Sequence, residues 1–300
     1  MIEINGVNKS FQDVKALDNV IAAIRENSIF GLVGTNGAGK STLLRTMCGV
    51  LQPDSGMVMV DGENIYENPK MKERVCFLSD GAYFFPGATA ETMADYYGMM
   101  YPKFDKIRFY DLINQFRLRP DRKISTLSKG MKRQVLILLG ISSGTKYLLC
   151  DETFDGLDPV MRQAMKSILA AETGSREFAA VIASHSLREL EDICDHIGLL
   201  HQGGILLSKD LEDMKFHIHK VQCVIQNGEM ERELLSELNV VRYEKRGSLL
   251  TIVARGTRQE ILISIERKRP IFSEVIPLTL EEIFISETEV AGYDIKELIG

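Results

Sequence analysis

The chain has 300 residues, enough for one large α/β domain with an appendage or for two ordinary domains. Apolar residues make up 45% and charged residues 26%, globular proportions that exclude collagen-like, disordered and low-complexity chains. Lys and Arg number 36 against 42 Asp and Glu, a net charge of −6, which argues against a protein that coats nucleic acid.

The start, Met1-Ile2-Glu3-Ile4-Asn5, carries neither the basic nor the apolar region of a signal peptide. Glu3 to Val7 and Val20 to Ile24 alternate apolar and polar, as half-buried strands do. Ile29 to Val33 reads as a buried strand that runs into a Gly-rich turn, and Ser41 to Arg45 follows at helical spacing. Strands are expected at 56–60 and 75–78, with a turn at Asp61-Gly62. From about 88 to 145 the pattern is helical, with breaks near 118–123 and at 128–130. Its longest apolar run, Val135 to Ile141, falls far short of the ~20 residues of a membrane span. Tyr147 to Cys150 reads as a strand, Pro159 to Glu172 as a helix, Ala179 to Ser184 as a strand and Leu187 to Cys194 as a helix. A hairpin at His201 to Gly204 closes this unit. Strands alternating with helices indicate an α/β core. Five scattered cysteines without a CxxC pair suit reduced thiols, and a soluble intracellular protein is expected.

Beyond about 215 the pattern changes. Val221 to Ile225, Glu231 to Leu238, Val240 to Glu244, Leu249 to Ala254, Arg258 to Glu266 and Ile271 to Ile276 read in the order βαββαβ, the ferredoxin-like pattern. A last helix, Leu280 to Ile285, leads into an acidic tail, read as a solvated terminus.

Gly34-Thr35-Asn36-Gly37-Ala38-Gly39-Lys40-Ser41, followed by Thr42, fits GxxxxGK[ST] between a strand and a helix. Glycines let successive N–H groups point at phosphate oxygens, and the helix that begins there adds its positive end. Lys40 is placed to reach the β- and γ-phosphates and Ser41 to ligate Mg²⁺. The apolar strand Tyr147 to Cys150 ends in Asp151 and Glu152, the first suited to holding Mg²⁺ through its water shell, the second to polarising an attacking water.

The segment Leu127-Ser128-Lys129-Gly130-Met131-Lys132 resembles the signature sequence of ATP-binding cassette (ABC) proteins, in the form found in exporter ATPases of the ABC-2 type. His185 is similar to that family's switch histidine, Gly156-Leu157-Asp158-Pro159 to its D-loop and Phe11 to its adenine-stacking aromatic. The resemblance implies an ABC cassette over residues 1–215, with an α/β core, an antiparallel β subdomain and a helical subdomain at about 88–145, joined to a small α+β domain over 216–300. It implies ATP and Mg²⁺ as cofactors and a head-to-tail homodimer or heterodimer. There Ser128, Gly130 and Asp158 would touch the ATP of the opposite subunit, and His185 would contact the γ-phosphate. It implies too a separate transmembrane permease at the cytoplasmic face of the membrane, with export of amphipathic peptides or related compounds. Asp80 stands where the family usually has a Mg²⁺-ligating glutamine. Lys129 and Met131 replace the usual Gly and Gln, and the usual proline after Glu152 is missing.

Tyr83, Phe84 and Phe85 are three consecutive rings beside Pro86-Gly87. They cannot all face one core, so they are the expected contact face for the permease. A soluble non-transport ABC ATPase acting on a macromolecular complex is the alternative, but it would usually carry two cassettes or a long insertion. A regulatory GTPase would need an NKxD base reader, which is absent.

Overall fold

Two long strands open the chain, β1 (Ile2–Phe11) and β2 (Val14–Ile24), paired antiparallel with Ile2 opposite Ile24 and Phe11 opposite Val14. The computed structural model describes residues 1–81 and 83–290. In β1 alternation sends Ile2 and Ile4 into the core, as one buried sheet face requires, and a register shift between Ile4 and Val7, with Gly6 at φ +60, turns Val7 inward as well. β3 (Ile29–Val33) has five consecutive buried residues, because both of its faces are covered. The GxxxxGK[ST] segment, a phosphate-binding or P-loop, then leads into α1 (Lys40–Met47). β4 (Ser55–Val60) and β5 (Glu63–Asn64) complete a four-stranded sheet of order β2-β1-β4-β5. A short α2 (Pro69–Lys72), capped by Asn68, precedes β6 (Val75–Leu78).

The helical stretch consists of α3 (Ala90–Met100), α4 (Lys106–Gln115), a 3₁₀ turn at Ile124–Thr126 and α5 (Lys129–Ser142). Two details correct the sequence reading. A break separates α3 from α4, because Pro102 holds Tyr101 extended and Asp105 caps the next helix, accepting from the Arg108 N–H at 2.8 Å. Residues 128–130 do not interrupt a helix; they start one, with Ser128 as the N-cap of α5. Arg133 to Ser142 are all buried, so α5 is the central helix of the subdomain.

β7 (Tyr147–Asp151), α6 (Pro159–Ser175), β8 (Ala179–Ser184), α7 (Leu187–Glu191), β9 (His196–His201) and β10 (Gly204–Asp210) follow. α7 is shorter than the expected helix to Cys194. The second sheet has the order β10-β9-β3-β8-β7-β6, and β6, β7, β8, β3 and β9 pair parallel in turn. Its register sets Val33 opposite Ser184, Asp151 opposite Ala183 and Leu78 opposite Cys150. The carboxyl ends of four strands therefore open on one crevice, the usual ligand position in such sheets.

The chain divides into two compact units, Met1–Ser208 and a second beginning at Lys209, a few residues before the expected boundary at 215. The difference comes from α8 (Leu211–His217), unread in the sequence, which packs on the first strand of the second unit. That unit continues with β11 (Ile218–Val224), α9 (Gly228–Glu237), β12 (Asn239–Arg246), β13 (Leu249–Arg255), α10 (Arg258–Arg267), β14 (Phe272–Ile276) and α11 (Leu280–Val290). Its sheet has the order β12-β13-β11-β14, antiparallel throughout. Leu234, Ile261 and Ile265 of α9 and α10 cover Val221, Cys223 and Ile252. Of the acidic tail, residues 291–300 lie outside the described residues. Among the described residues no helix is long and apolar enough to cross a membrane.

Candidate active site

At the end of β3 the chain turns through the P-loop against β2. Gly39 adopts φ +107, and a Cβ there would stand 2.4 Å from the Ala16 carbonyl oxygen. Handedness and close approach both demand glycine. Gly39 is also the N-cap of α1 and supplies no capping side chain, so the amides of the first turn keep their capacity for an anion. The Lys40 ammonium is buried. Its Nζ donates to the carbonyl oxygens of Gly34 and Thr35 at 2.8 and 3.1 Å and lies 3.4 Å from Glu152 Oε1.

Asp151 ends β7 and is 2% exposed, and it accepts a hydrogen bond from Ser41 Oγ at 3.0 Å. Burial raises its pKa above the ordinary carboxylate value; the Ser41 bond opposes this, and the nearby charge of Glu152 adds to it. Glu152 leaves the strand at φ +50, an uncommon conformation outside glycine. Its N–H is held by the Ala183 carbonyl at 3.1 Å. That turn gives Asp151 and Glu152 different surroundings, one on the Ser41 hydroxyl and the other on Lys40. The pocket between the P-loop and these strand ends has a volume of about 400 Å³ and is lined by Asn36, Gly37, Gly39, Lys40, Ser41, Thr42 and Asp80, among others. Val14, Ala16 and Arg45 also line it, three residues the motifs do not mark.

Asp80 stands at the pocket, and its Oδ1 accepts from Arg133 Nη2 of α5 at 2.7 Å. His185 Nδ1 lies 2.9 Å from Asp155 Oδ2. Glu152, Asp155 and His185 bring their potential ligand atoms within 4.8 Å of one another. Burial, with Glu189 as hydrogen-bonding and charged neighbour, pushes the Asp155 carboxyl up to about 7. Sequence reasoning missed both Arg133 and Asp155. A carboxylate at 80 in place of an amide was a signal for a cationic partner. No signal marks Asp155, whose orientation depends on the turn at Glu152.

Other expected residues lie apart from this pocket. Phe11 is 45% exposed at the β1–β2 turn, with Lys9 Nζ 5.6 Å from its ring centroid, and Ala38 is buried; neither lines the cavity. Ser128 and Asp158 cap α5 and α6, accepting from Met131 N at 3.2 Å and Met161 N at 2.9 Å. These two and Gly130 lie outside the lining of the chain's own pocket. Tyr83 and Phe85 are exposed and pack edge to face at 5.9 Å, with Phe85 4.8 Å from Tyr96. Phe84 is half-buried.

A parallel sheet with a P-loop on one strand and adjacent carboxylates on another defines a P-loop nucleotide-binding cassette. Residues 17–155 match the ABC transporter family, so the first unit carries an ATP-hydrolysing cassette of the kind found in ABC transporter ATP-binding proteins. It is 28% identical to the ABC transporter ATP-binding protein YtrB of Bacillus subtilis over 287 residues, 96% of this chain and 98% of that protein. It is 26% identical to the bacitracin transport ATP-binding protein BcrA of Bacillus licheniformis, over 72% of this chain and 71% of that one. The fold is that of the ATP-binding cassette MJ0796 in a dimeric post-hydrolysis state with ADP and Pi, at a TM-score of 0.63 and 19% identity, covering 70% of this chain and 99% of that one.

Proposed function

We propose that this chain is the motor subunit of an exporter, hydrolysing ATP in a head-to-tail dimer to drive a separate transmembrane permease from the cytoplasmic face of the membrane. The observation that carries the reading is the Ser41–Asp151 contact at 3.0 Å beside the Lys40–Glu152 pair, which joins an anion cradle to a carboxylate set.

Asp151 is buried without a cation partner among the described residues and shares its site with a hydroxyl. Oxygen donors of this kind fit Mg²⁺, held by Ser41 and Asp151 with Asp80 as a further ligand. The ion would neutralise charge on the β- and γ-phosphates. Lys40, now satisfied by its own loop carbonyls, would exchange them for phosphate oxygens. Glu152 would orient and deprotonate the attacking water, and His185, steadied by Asp155, would hydrogen-bond the γ-phosphate. Phe11 would stack on adenine from the β1–β2 turn. Ser128, Gly130 and Asp158 would complete the opposite subunit's site, in a homodimer or heterodimer.

Exposed Tyr83 and Phe85, with Phe84 between them, suit docking on the permease. Export, and cargo of amphipathic peptides or related compounds, rest on the Leu127-to-Lys132 form of the signature and on the likeness to the bacitracin transport protein BcrA.

Glu152→Gln should bind ATP, lose turnover and accumulate as an ATP-dependent dimer, read by size-exclusion chromatography with and without nucleotide. Rapid hydrolysis by that variant would sink the general-base assignment.

A further inference from the structure

Arg133 is 8% exposed, an unusual burial for a guanidinium that needs a stated partner. It lies in the second turn of α5, the helix that Ser128 caps. Its Nη2 donates to Asp80 Oδ1 at 2.7 Å, and its Nη1 lies 3.3 Å from the position a Cβ on Gly156 would take. One guanidinium on the helix of the signature sequence thus bonds the segment after β6 and lies beside the segment after β7. The pair is asymmetric: the Arg133 side chain is 10% exposed, that of Asp80 54%. Asp80 lines the nucleotide pocket while Arg133 does not.

We propose that Arg133 is the positioning residue for Asp80, fixing the carboxylate at the nucleotide pocket and tying α5 to that pocket. The reading rests on the ABC ATPase function above. A carboxylate has two oxygens and a full charge. Oδ1 answers Arg133, and Oδ2 accepts no hydrogen bond among the described residues, so it remains for a metal ion. An amide at 80 would have to serve both through one uncharged oxygen and would leave the buried guanidinium without a countercharge. The aspartate and the arginine therefore belong together. Asp80 in place of the glutamine common in the family is matched by a cation on α5.

The test is a double-mutant cycle on the full chain, read as the gain in affinity for a fluorescent ATP analogue when Mg²⁺ replaces EDTA. Arg133→Gln and Asp80→Gln should each cut that gain by about tenfold. In Asp80→Gln/Arg133→Gln the two amides can bond each other and free an oxygen for the metal, so most of the gain should return. Arg133→Lys, which keeps the charge but loses the planar fork, should fall between, and it serves if Arg133→Gln does not fold. A purely structural arginine would lower Tm in both singles and leave the Mg²⁺ gain intact; that result overturns the proposal, as do single losses that simply multiply in the double variant. If the unaltered chain fails to bind the analogue, or Lys40→Ala binds it as well, the nucleotide reading itself fails.

Discussion

Glu152 shows how a single dihedral organises chemistry. Its φ of +50 is a strained value for a side-chain-bearing residue, tolerated where surrounding structure holds it, here through the Ala183 carbonyl. Asp155, downstream of that turn, is a buried acid whose carboxyl is pushed up from 3.8 to about 7, by burial first and by Glu189 second. The sign of its effect follows from linkage. Between about pH 4 and pH 7 the folded chain keeps a proton that the unfolded chain has released, so stability from this group falls as pH rises and stays lost above 7. Asp155→Asn removes that cost. It should raise Tm at about pH 8, by on the order of 2 kcal/mol or about 4–8 °C, with the gap closing toward pH 4. Thermal melts across that range check it, and an advantage that did not shrink on acidification would contradict the burial argument. Lys40, Ser41, Asp151 and Glu152 were legible because their chemistry is written in adjacent residues. Arg133 and Asp155 were not, because the groups they meet, Asp80 and His185, are supplied by other segments.

Elements show the same division between local and distant causes. β3, β8 and β6 coincide with the apolar runs that predicted them, since buried parallel strands are continuous hydrophobic segments. The separation of α3 from α4 depends on Pro102 and the Asp105 cap, weak signals inside a helical pattern. α8 was missed because seven residues with two buried positions, Leu211 and Met214, give too little periodicity to read. α1 depends most on its entry. With Gly39 at φ +107 and the Ala16 carbonyl 2.4 Å from any added Cβ, the loop and β2 can keep their approach only if residue 39 has no side chain. Gly39→Ala should cost about 1–3 kcal/mol of stability from strain alone and should abolish binding of a fluorescent ATP analogue, because the amides of the first turn of α1 would be displaced. A thermal melt and a titration test both. Unchanged binding would mean that the loop relaxes freely.

At the scale of the whole molecule, each of the two units holds a hydrophobic cluster of its own. The first gathers residues from Ile2 to Leu200, with Ile205 packed against it, and the second residues from Val221 to Ile265, with Val275 packed against it. Each has its own sheets, and the strand order of the second, β12-β13-β11-β14, is complete without any strand of the first. Every residue lining the nucleotide pocket lies between Val14 and Glu152, inside the first unit. A chain ending at Asp210 keeps β10 whole and loses nothing from the first core. It should therefore fold cooperatively, bind the ATP analogue with an affinity close to that of the full chain, and keep the metal-dependent gain that the Asp80–Arg133 pair supports. Denaturation of the full chain should show a second transition that the shortened chain lacks. If the shortened chain aggregates or loses nucleotide binding, the two cores are energetically one, and the second unit is part of what holds the site in shape.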